Sequence, residues 1–324
     1  MRALVVDRLS DDLSGCALVE LPLPRRKTGQ VLIRIRAASL NFPDLLMTRG
    51  QYQFKPPVPF VSGLECAGEV IEADADSGFT PGDLVLGGEK TGALAQYAVL
   101  QATNLIKLPR GIEPSTAVAF SGTYQTAWVA LVELGRIEPA QTVLVHGATG
   151  GVGLAAVDLA QALGARVIAA SGSPGKLAVV EREYRPMASI IAEGRFREEI
   201  ARLTDRRLCD LVYDPVGGDV FDESTRCVAF GGKLLVVGFA GGRIPQIAVN
   251  IPLIKGFSVV GVRAGEYGRR FPDRLRRIRE ELFSMLGEGR LRPRIDRILP
   301  LDRWKEGFQA LERREVIGKI VFEA

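Results

Sequence analysis

The sequence predicts an α/β chain in two parts, a β-rich, barrel-like domain followed by a parallel sheet with helices on both faces. Three observations predict it. Residues 1–108 carry short strand-like runs separated by Gly and Pro turns. From residue 142 onward such runs alternate with helical stretches, the pattern that builds a covered parallel sheet. Residues 142–164 read as strand, glycine turn and helix in immediate succession.

That third stretch, TVLVHGATGGVGLAAVDLAQALG, organises the rest. Residues 143–145 are too short a run for a helix and rich in β-branching, so they form a buried strand. Gly147, Gly150, Gly151, Val152 and Gly153 make the turn; Leu154, Val157 and Leu159 give the helix its apolar side, and Gly164 stands where it stops. A unit of this kind binds dinucleotides. The turn must be tight, the backbone must approach a pyrophosphate with no Cβ between, and the helix start offers free N–H groups. The spacing is Gly-x-x-Gly-x-x-Gly with Gly151 added, rather than Gly-x-Gly-x-x-Gly.

Residues 166–170 form the second strand. An NAD site would place an Asp or Glu about 20 residues after the glycines, on the ribose hydroxyls. Here Ser171, Gly172, Ser173 and Lys176 follow, with no acid before Glu181. Hydroxyls and a lysine suit a 2′-phosphate, so the expected cofactor is NADPH. The plainer alternative for Lys176 is a solvated first-turn lysine.

The remaining elements follow in order. Strands are expected at 1–6, 31–35, 68–73, 84–86 (after the Pro81-Gly82-Asp83 turn), 95–100 and 105–108. Residues 113–134 turn helical. The sheet continues through 189–191, 211–213, 233–237 and 257–262, and a helix over 273–286 carries Leu275, Ile278, Leu282 and Phe283 on one face. Strand-like pieces at 298–301 and 319–322 are expected to rejoin the first domain.

With 324 residues, 42 Lys+Arg and 38 Asp+Glu, the net charge of +4 demands no polyanionic partner. The amino terminus reads as a strand-like run, so no leader is expected, and no apolar run approaches the ~20 residues that span a bilayer. Cys16, Cys66, Cys209 and Cys227 form no CxxC pair, which fits reduced cysteines in a cytoplasmic protein. The one histidine, His146, ends the first Rossmann-type strand and reads as a core residue. Arginines crowd residues 263–297, but Asp273, Glu280, Glu281 and Glu288 are interspersed and no aromatic platform accompanies them, so a solvated helix face is favoured over a nucleic-acid surface.

ASLNFPD at 38–44, GLECAG at 63–68, TYQTA at 123–127, HGATGGVG at 146–153, DPVGG at 214–218 and GKIV at 318–321 together resemble the medium-chain dehydrogenase/reductase superfamily. The resemblance is to its zinc-independent quinone oxidoreductase, zeta-crystallin-like branch. It implies a GroES-like β-barrel domain from residues 1–120 and 262–324, around a Rossmann domain at 121–261. It also implies a homodimer joined through the strand at 257–262. Zinc-dependent relatives carry a Cys where this chain has Asn41, a His where it has Leu64, and four closely spaced cysteines; here only Glu65 remains, so no metal is expected.

By the same resemblance, Asn41 and Tyr52 border nicotinamide and substrate and donate to the oxygen that gains charge during hydride addition. The structural alternative makes Asn41 a helix cap and packs Tyr52 against Phe54 and Phe60. Thr126, Val216, Phe239, Ala240 and Lys319 would line the cofactor cleft. Relatives often carry a tyrosine near residue 192 that touches the 2′-phosphate. This chain reads IAEGR at 191–195, which counts against NADPH unless Arg195 substitutes. Arg263 could face an anionic acceptor such as an acyl-CoA or lie on the surface. The implied activity is NADPH-dependent hydride transfer to a quinone or other conjugated carbonyl compound. The alternatives are reduction of enoyl thioesters or alkenals and, in another class, a non-catalytic NADPH-binding or RNA-binding role.

Overall fold

Alternating burial defines the strands of the amino-terminal unit. The computed structural model describes residues 1–324, and they divide into two units, Met1–Gly122 with Arg294–Ala324, and Thr123–Pro293. The first unit opens with β1 (Arg2–Val6), β2 (Cys16–Glu20), β3 (Gln30–Leu40), α1 (Phe42–Thr48), β4 (Phe60–Val61), β5 (Cys66–Glu72), β6 (Leu84–Gly87), β7 (Tyr97–Gln101) and β8 (Ile106–Lys107). In β3, exposed Arg34 and Arg36 alternate with buried Ile33, Ile35 and Ala37, as the period of two requires. Helix α2 (Pro114–Trp128) follows and continues as a π-helical segment, Val129–Leu134.

The second unit alternates β9 (Thr142–Val145), α3 (Gly151–Ala162), β10 (Arg166–Ser171), α4 (Pro174–Tyr184), β11 (Ala188–Ile191), α5 (Arg197–Leu203), β12 (Cys209–Asp214), α6 (Gly218–Ser224), β13 (Val228–Val236), α7 (Asn250–Lys255) and β14 (Ser258–Gly261). Helices α8 (Ala264–Arg270) and α9 (Pro272–Gly287) complete it. The chain then returns to the first unit with β15 (Ile295–Pro300), α10 (Trp304–Glu312) and β16 (Lys319–Glu323).

In the first unit a three-stranded sheet, β2-β1-β4, accompanies a larger one, β15-β16-β3-β5-β6-β8, with β7 also paired to β3. The closing strand β16 runs antiparallel to β3, setting Ile320 opposite Leu40 and Val321 opposite Ser39, so the chain's end does rejoin the first domain. Leu4, Ile33, Ile35, Leu94, Phe308 and Phe322 form its core.

The second unit holds six parallel strands in the order β11-β10-β9-β12-β13-β14. Counted from β9 this is 3-2-1-4-5-6, the doubly wound dinucleotide-binding order, whose ligand crevice lies at the carboxyl ends where the winding reverses. Each expected strand is present with ends shifted by a few residues, while β2 and β4 were not foreseen. The unit boundary falls at Arg294 rather than at 262. The reason is tertiary: the Tyr267 hydroxyl of α8 donates to Glu133 at 2.5 Å, and the Arg292 backbone N–H donates to buried Asp158 at 2.6 Å. No helix is long and apolar enough to cross a membrane.

Candidate active site

Two groups of residues carry chemistry, one in each unit. In the second unit, β9 runs into the glycine turn at His146. Gly147 has φ +57°, which favours glycine, and a Cβ there would lie 3.2 Å from Pro215 and 3.5 Å from Val216. A Cβ on Gly153 would come within 2.1 Å of the Gly147 carbonyl oxygen, so only glycine lets α3 start this close to the turn. The first intrahelical bond runs from Leu154 N–H to the Gly150 carbonyl at 2.8 Å. The N–H groups of Gly151, Val152 and Gly153 precede it and are those a pyrophosphate would meet.

The loops after β12 and β13 close on this turn. Asp214 Oδ1 accepts the Val216 and Gly217 N–H groups at 2.8 and 3.0 Å, shaping the loop. Burial raises the Asp214 pKa, and those two bonds oppose the rise. Ala240 N–H donates to the Pro215 carbonyl at 3.0 Å and Gly241 N–H to that of Val216 at 2.8 Å. A Cβ on Gly217 would lie 3.0 Å from the Phe239 ring. Gly147, Val216, Phe239 and Ala240 therefore share the crevice at the carboxyl ends of β9, β12 and β13. Asp214 as the shaper of that loop was missed in the sequence, although an Asp two residues before a turn is an available signal.

Beside β9, the end of β10 presents the residues expected around the ribose. Buried Ser171 has its hydroxyl 3.4 Å from that of Thr149 and accepts Ser173 N–H at 3.3 Å. Gly172 is exposed, and Ser173 and Lys176 are half-buried at the start of α4. Glu193, exposed on the loop after β11, joins them: its Oε1 is 3.5 Å from where a Gly172 Cβ would be. Thr126 is half-buried on α2. His146 is a core residue, fully buried, with Nε2 2.7 Å from the Ser224 hydroxyl and its ring against Phe196. Burial takes its pKa down to about 3.

In the first unit, β3, β5, α1 and β16 deliver a buried polar cluster. Asn41 follows β3 and precedes α1, and its backbone N–H donates to Asp44 Oδ2 at 2.8 Å, closing the helix start. The Asn41 amide nitrogen donates to Glu65 Oε1 at 3.1 Å, and its Oδ1 accepts Lys319 Nζ at 2.7 Å. Lys319, 5% exposed, also donates to the Leu40 carbonyl at 2.8 Å and lies 3.8 Å from Glu65. The Ser39 hydroxyl and Gly122 N–H both donate to Glu65. Desolvation lowers the Lys319 pKa against the pull of Glu65 and Asp44, and raises that of fully buried Asp44 to about 7.

This geometry modifies two expectations. Lys319, expected to line the cofactor cleft, has its ammonium directed to the Leu40 carbonyl, Asn41 Oδ1 and Glu65, where it holds the Asn41 side chain. Asn41 is both the helix-start residue and a member of this cluster, and Tyr52 packs partly buried against the core together with Phe54. The cluster's makeup also bears on metal binding. A zinc site needs three or four N, S or O ligands. Here the carboxylates of Glu65 and Asp44, the Asn41 amide and the Ser39 hydroxyl converge with a buried ammonium, Lys319 Nζ, which already supplies a positive charge beside Glu65. No three His, Cys, Asp or Glu side chains group so as to hold a metal. The residues do not fit zinc.

Comparison with known proteins agrees with both units. The family model described as alcohol dehydrogenase GroES-like domain matches residues 27–110, and that described as zinc-binding dehydrogenase matches 151–280. A quinone oxidoreductase-like protein 2 homolog of Nematostella vectensis is 37% identical over 91% of this chain and 81% of its own. An acryloyl-coenzyme A reductase of Sulfurisphaera tokodaii is 27% identical over 99% of each. Among solved structures, the quinone oxidoreductase of Thermus thermophilus, also solved with NADPH, is 29% identical and superposes over all of both chains with a TM-score of 0.81. A GroES-like β domain, a Rossmann domain and these relatives make the chain a member of the medium-chain dehydrogenase/reductase superfamily, an oxidoreductase related to the quinone oxidoreductase-like proteins.

Proposed function

We propose that the chain is a zinc-independent, NADPH-dependent reductase of quinones or other conjugated carbonyl compounds. The observation that carries this reading is the glycine turn after β9, closed by Val216, Phe239 and Ala240 and flanked by Ser171, Ser173 and Lys176. The nicotinamide cofactor, when bound, supplies the hydride. The start of α3 receives the pyrophosphate, and the hydroxyls and lysine at the end of β10 suit a 2′-phosphate. Asn41, held by Lys319 and Glu65, and Tyr52 offer an amide N–H and a phenol to the oxygen that becomes negative as hydride arrives. The Thermus thermophilus enzyme solved with NADPH supports the cofactor, and its name supports the acceptor.

A second reading is reduction of enoyl thioesters, favoured by the acryloyl-coenzyme A reductase relative and by the same hydride chemistry at a conjugated carbon. An RNA-binding role finds less support, because Arg269 and Arg270 pair with Glu266, Arg274 with Glu133 and Arg276 with Asp273. Arg263 is exposed at the start of α8. Four buried free cysteines fit a reducing, cytoplasmic setting. We also read the chain as a homodimer: β14 is an unpaired sheet edge, and Phe230, Val249, Leu253 and Ile254 are exposed in the segments leading to it. Oxidation of NADPH against a panel of quinones, alkenals and enoyl-CoAs tests the function, and turnover of the thioesters alone would select the second reading.

A further inference from the structure

Gly172 stands where an NAD site carries its ribose-binding acid, directly after β10 and about 20 residues beyond the glycine turn. Its φ is not positive, so its backbone does not need glycine. What the missing side chain leaves is room, and Glu193 is beside it. The β10–β11 pairing ends with Ser171 opposite Ile191, and Ala192 N–H then donates to the Ser171 carbonyl at 3.1 Å. That bond carries the next residue, Glu193, alongside Gly172, with Oε1 3.5 Å from the position of an added Cβ. The carboxylate thus lies in van der Waals contact with the place where a side chain at residue 172 would begin.

We propose that Glu193 supplies, from the loop after β11, the ribose-reading carboxylate that β10 lacks, so that the site takes NADH as well as NADPH. The proposal rests on the reading of the glycine turn as a dinucleotide site and deepens it. A carboxylate accepts hydrogen bonds from ribose hydroxyls and repels a phosphate dianion. Lys176 attracts that phosphate from α4, and Ser171 and Ser173 are neutral. Glu193 is therefore the element of the site that opposes NADPH, and its removal should sharpen the preference that Lys176 creates.

The test is titration of wild type, Glu193→Gln and Glu193→Ala with NADPH and with NADH, at low salt and near ~0.5 M salt, alongside thermal melts. Both variants should melt as the wild type does, since Glu193 is exposed. At low salt each should bind NADPH about fivefold or more tightly, as a like charge a few ångströms from the phosphate is removed, and NADH no better than wild type. High salt should shrink the NADPH gain, because the repulsion is screened. An NADPH-to-NADH affinity ratio within about twofold of wild type in both variants, less than ~0.5 kcal/mol, overturns the role of Glu193. Failure of the wild type to bind either cofactor would overturn the dinucleotide reading itself, and this inference with it.

Discussion

His146, the chain's one histidine, makes the second unit acid-sensitive. The ring is fully buried, its Nε2 meets Ser224, and its Nδ1 has no partner, so burial takes its pKa down to about 3. An unfolded histidine titrates near ~6.5, so below that pH the unfolded state binds the extra proton. Stability from the neutral buried ring is thus full above about pH 6.5 and is lost as pH falls toward 3. At about pH 5 the loss works out to roughly 2 kcal/mol, since RT ln(1 + 10^1.5) is about 2 kcal/mol at ~25 °C. Asp44 acts with the opposite sign: its raised pKa, about 7, contributes stability that is lost as pH rises through that value. Comparison with His146→Gln removes that term, because both proteins share Asp44. The assay is urea unfolding at about pH 7.5, 6 and 5, followed by Trp128 fluorescence in a Trp304→Phe background so that the signal comes from the second unit. The wild type should lose about 2 kcal/mol more than the variant between about pH 7.5 and 5. Equal losses in the two proteins would refute the assignment of a neutral, buried His146.

Other outcomes follow from the same structure. Gly153→Ala should lower both the melting temperature and NADPH affinity, because its Cβ meets the Gly147 carbonyl oxygen at 2.1 Å; Gly151→Val, at the first turn of α3, should stay folded by circular dichroism yet lose cofactor in titration. Lys176→Ala should weaken NADPH about tenfold, a charge-assisted hydrogen bond contributing about 1.5–3 kcal/mol; NADH affinity should not move, and equal losses would place Lys176 on the pyrophosphate or in the fold. Leu253→Glu with Val259→Lys, placing charge on the exposed face at β14, should give a monomer by sedimentation if the chain dimerises there; an unchanged mass would exclude that edge.

The sequence discloses what depends on local pattern. The β9-turn-α3 unit is legible because each of its requirements falls on consecutive residues: β-branching, then glycines, then an apolar helix face. β3 is legible through Arg34 and Arg36 alternating with buried isoleucines. β4, two residues long, has no period to show, and β2 buries only its first residue fully. The second unit extends to Pro293 rather than ending at 261 because α8 and α9 are held by Glu133 through tertiary contacts that local pattern does not show. The glycines and serines of the candidate cofactor site stand in short local runs, whereas Glu193 comes beside Gly172 only through the β10–β11 register, which composition does not reveal. Lys319 meets Asn41 across 278 residues only because β16 pairs with β3, so its place near the site could be expected from family resemblance but its commitment to Asn41 could not.

The proposed reaction is hydride transfer from a nicotinamide cofactor without zinc. Its most direct measurement is NADPH oxidation by the chelator-treated protein, with a quinone as acceptor and zinc content assayed in the same sample. Turnover should be full without stoichiometric zinc, and Asn41→Ala should lose turnover while retaining NADPH binding. Activity that disappears with chelation and returns with added zinc would contradict it, as would cofactor binding with no oxidation by any quinone, enone or enoyl thioester.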